Sequence, residues 1–214
     1  MRYNILADSP ALFEFADENT RLSVFDALII EGKVTNYHFE TPLFIQEQKI
    51  PDNTPTVKGK PVECLLVGGN FYISEKIKNI LVSHAVKAEY YSSFIKVSNE
   101  LFDEKYYLFN PLIGVDCIDY ENSEYEKVYD DWDKIYDVSK FSRLELLESK
   151  ITLNEPLFFI KSPDETNNNN LRLMPYIIVI TKRLAQDLHK ANLRGLNIFE
   201  VNDYRHDWKW NNEA

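Results

Sequence analysis

The chain is 214 residues long, carries a formal net charge of −10, and is 44% hydrophobic and 14% aromatic. A chain this apolar is not disordered, and at this length it buries roughly 70% of its unfolded surface. The negative charge, with a pI of about 4.9, excludes general binding to nucleic acid or to anionic membranes and suits a basic protein partner.

Residues 3–6 and 12–15 are short apolar runs suited to strands, while 24–31 fit a strand or a helix equally. Residues 37–47 (YHFETPLFIQE) read as extended, with Pro42 marking an edge or a break. The run 48–61 (QKIPDNTPTVKGKP) reads as a loop and an internal boundary. A strand follows at 62–67 (VECLLV), a turn at Gly68-Gly69-Asn70, and a second strand at 71–73. Ser74 is placed to cap a helix whose apolar face is Ile77, Ile80, Leu81 and His84 or Ala85, with Glu75 at the positive end of its dipole. Residues 94–97 close this unit as a strand.

About a hundred residues later the plan recurs. Residues 157–161 (LFFIK) form a strand, 162–175 a polar loop with an Asn run at 167–170, and 176–180 (YIIVI) the returning strand. Thr181 takes the place of Ser74 as cap. Leu184, Ala185, Leu188 and Ala191 make the helix face, Gly195 the exit, and 196–201 the last strand. The fold expected is α+β, with mixed or antiparallel sheets, two related β-β-α-β units and a few packed helices. Its parts are an N-terminal strand and loop region (1–61), the α+β domain (62–201), and a polar tail (202–214) carrying Trp208 and Trp210.

Between the two units, 106–109 and 112–115 suggest a hairpin around Asn110-Pro111. Residues 116–137 hold nine acids against two lysines, a net of −7. Tyr120, Tyr125, Tyr129, Trp132 and Tyr136 are interleaved with these acids. Tyr125, Tyr129, Trp132 and Tyr136 also fit one face of a helix. This segment therefore has two readings: rings that anchor a partner while carboxylates steer it, or rings that hold a helix to the core. The residues expected at a partner are Glu124, Tyr125, Tyr129, Asp130, Asp131, Trp132, Asp133 and Asp137.

The sequence carries no phosphate-binding, zinc-protease, nucleophile-elbow or Cys-His signature, so no cofactor or metal is expected. Cys64 and Cys117 stand far apart in apolar surroundings and read as buried thiols. His84 and His189 fall near helix ends, where a partial positive charge complements the dipole. The alternative to a binding protein is a hydrolase, transferase or regulatory subunit with an acidic site at Asp116 and Asp119, joined by His206. Without a signal peptide or a run of ~20 apolar residues, the expectation is a cytoplasmic protein.

An ordered series of segments, FYISEKIKNIL, KYYLFNPLIGVDCIDYENSEYE, LELLESKITLNEPLFFIK and YIIVITKRLAQDLHKANLRGLNIFEV, resembles the immunity protein 11 family over residues 62–201. The loop at 162–175 and the acidic stretch at 124–137 are elaborations on that pattern. The resemblance implies a non-catalytic protein that binds and neutralises a cognate toxin inside the producing cell. It transfers no catalytic residue.

Overall fold

The computed structural model describes residues 3–8, 13–15, 43–47, 62–67, 70–97, 100–101, 103–151, 154–166 and 171–205. The expectations for 24–31, 48–61, His206 and the Trp-bearing tail lie outside these residues. The described strands are β1 (Tyr3–Asp8), β2 (Phe13–Phe15), β3 (Leu43–Glu47), β4 (Cys64–Val67) and β5 (Asn70–Ser74). They continue with β6 (Ala88–Val97), β7 (Glu100–Leu101), β8 (Tyr106–Pro111), β9 (Gly114–Val115), β10 (Glu124–Tyr129) and β11 (Ile135–Arg143). The last three are β12 (Leu157–Pro163), β13 (Leu171–Thr181) and β14 (Leu196–Glu200). The described helices are α1 (Glu75–Ser83) and α2 (Lys182–Lys190). The fold is α+β, as the sequence predicts.

Both β-β-α-β units form. In the first, β4 pairs antiparallel with β5 from Cys64↔Ile73 to Val67↔Asn70. The Ser74 hydroxyl then accepts a 3.5 Å bond from the Ile77 amide and caps α1. In the second, β12 pairs antiparallel with β13, starting at Leu157↔Ile180, and the Thr181 hydroxyl accepts from the Leu184 amide at 3.4 Å. Several of the backbone bonds around the two helices correspond, although the Val86 N–H bond to the Leu81 carbonyl has no counterpart at Leu193. Ser74 N–H donates to the Glu63 carbonyl and Thr181 N–H to the Pro156 carbonyl, each just ahead of its first strand. At the exits, His84 N–H is shared by the Ile80 and Leu81 carbonyls, and Ala191 N–H by those of Asp187 and Leu188. The next residues, Ala85 and Asn192, both turn left-handed, at φ 55° and 50°.

The sheets repeat the plan as well. One has the order β14-β1-β13-β12-β9, the other β2-β3-β6-β8-β5-β4 with β7 on β6. In each, a strand from elsewhere in the chain separates the second strand of the unit from its closing strand. That strand is β1 in one sheet and β8 in the other, antiparallel to β13 and β5 respectively. The registers correspond too, with Tyr3 opposite Thr181 and Tyr106 opposite Ser74.

The hairpin expected around Asn110-Pro111 does not form. β8 pairs with β5, whereas β9 runs parallel to β12 in the other sheet. The apolar runs on either side of Asn110-Pro111 each pair with a strand from elsewhere in the chain. The polar loop is also shorter than expected: β12 extends to Pro163 and β13 begins at Leu171.

The chain divides into two compact units. One comprises Met1–Ala7, Pro111–Gln186 and Asn197–Ala214, with a core that includes Cys117, Ile118, Phe141, Phe158, Ile177 and Val179. The other comprises Asp8–Asn110 and Asp187–Leu196, and buries Cys64, Leu65, Tyr72, Ile77, Leu81 and Ile95. Within that second unit the end of α2 is tied down by polar bonds. His84 Nε2 lies 3.0 Å from Asp187 Oδ2, Lys76 Nζ donates to the Ala191 carbonyl at 2.6 Å, and Glu63 accepts from the Arg194 amide at 3.0 Å. Both cysteines are buried and in no disulfide. Burial, and then the neighbouring Asp116 charge, push the Cys117 thiol up to about 12, so it is an inert packing group.

Candidate partner-binding surface

The segment 124–135 is a β-hairpin, not a helix. Glu124, Glu126 and Lys127 line a strand in which the half-buried residues are Tyr125 and Val128. β10 pairs antiparallel with β11, with irregularities between Glu124 and Glu126 and between Val128 and Tyr129. Opposite the first irregularity, Lys140 adopts a left-handed φ of 49°. Tyr125 and Tyr129 are four apart and would share a face of a regular strand, but the alternation along β10 breaks at Glu126 and Lys127, both exposed, and Tyr125 is half-buried while Tyr129 is exposed.

Tyr125 points inward and stacks edge-on against Tyr120, 5.3 Å between centroids, and lies 6.0 Å from Phe141. Tyr129 is 52% exposed and Trp132, at the tip, 79% exposed. The rings therefore divide: Tyr125 packs inward, whereas Tyr129 and Trp132 face solvent.

Asp130 organises the turn. Its Oδ1 accepts from the Trp132 amide at 2.9 Å and from the Lys134 amide at 2.8 Å. Its own N–H donates to the Lys134 carbonyl at 2.9 Å. Asp133 N–H donates to the Asp130 carbonyl, and Asp133 sits at φ 58°, a conformation Asp tolerates better than most residues. The base of the hairpin is equally fixed. Ile135 N–H donates to Glu165 Oε2 at 3.0 Å, and Glu165 N–H returns a bond to the Ile135 carbonyl at 2.6 Å. Val138 and Phe141 are in the core.

The nine acids of 116–137 separate into distinct roles. Asp137 is 8% exposed and its carboxylate accepts from the buried Ser162 hydroxyl at 2.9 Å. It supports the hairpin from below rather than contributing to an accessible surface, a correction to its expected place at a partner. Asp116 lies 3.4 Å from Lys150. Asp119 accepts from the Asn122 side chain and from the amides of Asn122 and Glu121, and these bonds hold its carboxyl below the ordinary range. Glu124 pairs with Arg143 at 3.4 Å and Glu126 with Lys140 at 2.6 Å. Those two cations follow the segment in sequence and lower the charge of the hairpin face, which a count ending at residue 137 misses. Among the described residues, the carboxylates of Glu121, Asp131 and Asp133 have no hydrogen-bond or ion-pair partner. No group of three or more metal-ligating side chains occurs among the described residues.

The hairpin thus presents an exposed indole between two uncommitted carboxylates, on a base that is bonded and packed. Such a feature offers contact area to another protein. A family model for the Imm11 immunity proteins matches residues 9–155. The chain belongs to the Imm11 immunity protein family. The match takes in the first β-β-α-β unit and the β10–β11 hairpin and ends just before the second unit. It begins well ahead of residue 62, where the resemblance in the sequence starts, so the N-terminal region is part of the Imm11 pattern. No curated protein matches the chain. No helix among the described residues is long and apolar enough to cross a membrane.

Proposed function

We propose that this Imm11 protein binds a cognate bacterial toxin and neutralises it inside the producing cell, without catalysis. Membership of an immunity protein family carries the reading. The contact surface in this proposal is the outer part of the hairpin: Glu124, Tyr129, Asp130, Asp131, Trp132 and Asp133. Tyr125 and Asp137 support it from within. A toxin surface with Lys or Arg around an apolar depression is the complement these groups call for.

What favours binding over chemistry at Asp116 and Asp119 is that each carboxylate already has its own partner. Asp116 is beside Lys150, and Asp119 closes the turn at residues 119–122. The test is co-expression with the toxin domain encoded beside this gene. Growth protection together with a complex that survives purification is expected. Neither protection nor a complex would overturn the proposal.

A further inference from the structure

Resting on that reading, we infer that the hairpin tip is a preformed plug: Trp132 is the anchor that enters an apolar pocket of the toxin, and Asp130 is the positioning residue that presents it. The observation that carries this is the exposed indole at the end of a bonded turn. A Trp 79% exposed contributes little to folding, yet it is the residue type that most often dominates a protein interface. Tyr129, 52% exposed, widens the apolar contact beside it. The indole is not on a floppy loop. The two amides held by Asp130 Oδ1 fix the backbone at Trp132 and Lys134, so little ordering is left to be done on binding. Charge complementarity commits the occupant to a pocket with a cationic rim. Glu124 and Glu126 already have their own cations, so the uncommitted carboxylates beside the indole are Asp131 and Asp133.

The roles separate by substitution. Asn at position 130 keeps an Oδ1 that accepts both amides and loses only the charge; Ala loses both bonds. Asn at 133 keeps the tolerance for positive φ and again loses only charge. The probe is the toxin domain encoded beside this gene, followed by association and dissociation kinetics at low and high salt. Trp132→Ala is expected to weaken binding about 30-fold or more, through faster dissociation. Asp130→Ala is expected to weaken it about tenfold while Asp130→Asn stays within about twofold of wild type, because the turn and not the charge is needed. Asp131→Asn with Asp133→Asn is expected to slow association several-fold at low salt, an effect that fades at high salt. Wild-type binding with Trp132→Ala within about twofold, or Asp130→Asn as damaging as Asp130→Ala, overturns the plug and leaves the toxin-binding reading standing. Failure of the wild type to bind the probe removes that reading, and the plug with it.

Discussion

The two β-β-α-β units are alike at their caps, their exits and two buried positions of each helix, and they differ between those points. Ser74 and Thr181 cap their helices through the same bond, and Ile77 and Leu81 are buried where Leu184 and Leu188 are buried. His84 and Ala191 share their amides between equivalent carbonyls, and Ala85 and Asn192 make the same left-handed exit. Between those points the residues are free to differ. The helix faces carry Lys76 and Lys78 in one unit and Arg183 and Ala185 in the other. The correspondence teaches that caps, exits and two buried positions per helix are what the plan requires.

The likeness ends just past the exits, and the largest predicted effect lies there. Gly195, at φ 77°, corresponds in position to Ala88 of the first unit. A Cβ on Gly195 would meet the Cys64 carbonyl oxygen at 2.4 Å and Val62 Cγ2 at 2.5 Å. Backbone must give way, because the nearest atom is main chain and the φ disfavours any side chain. Gly195→Ala is therefore expected to cost about 3 kcal/mol or more, read as a lowered urea midpoint. The reverse change in the other unit, Ala88→Gly, is expected to cost only about 0.5–1 kcal/mol. Similar losses at both sites would mean that the units do not diverge there.

The caps sharpen the comparison from the side of likeness. Ser74→Ala and Thr181→Ala are each expected to cost about 1 kcal/mol, and to agree within about 0.5 kcal/mol, because both bonds are at the long end of the hydrogen-bond range. Thr181→Ser separates the lost hydroxyl from the lost methyl. A cap worth nothing in one unit and a full bond in the other would break the equivalence at its starting point.

Much of this was legible in the sequence. Ser74 and Thr181 were readable as caps because a hydroxyl stood directly between an apolar strand and a helical repeat. Gly195 reads as the exit in the sequence, but the left-handed exit is Asn192, and Gly195 stands three residues on, just ahead of β14. The hairpin at 124–143 was not, since Tyr125, Tyr129, Trp132 and Tyr136 satisfy a helical period. The period-two alternation that argues for a strand is broken at Glu126 and Lys127, so neither template fits cleanly. Aspartate at 130 could have signalled the turn, because its short carboxylate reaches amides two and four residues ahead. The net charge of the segment misled for a different reason. Lys140 and Arg143 come from the returning strand, and only the pairing of β10 with β11, which sets Arg143 opposite Glu124 and Ser139 opposite Glu126, brings them to Glu126 and Glu124.

The smallest effect tests the exits. Ala85 and Asn192 have nearly the same φ, but the conformation costs them differently. Alanine has no side-chain group to offset the contact between its Cβ and the backbone, whereas Asn visits this region readily. Replacing Ala85 by Gly relieves that strain, and the gain is reduced by the greater freedom glycine has in the unfolded chain. Ala85→Gly is therefore expected to stabilise by up to about 1 kcal/mol, and Asn192→Gly to change stability by only a few tenths, roughly 0.3 kcal/mol. Ala85 is exposed, so no lost packing obscures the result. Equal responses at the two positions would show that the exits are held by something other than local backbone preference, and the likeness between the units would then be one of outline and not of cause.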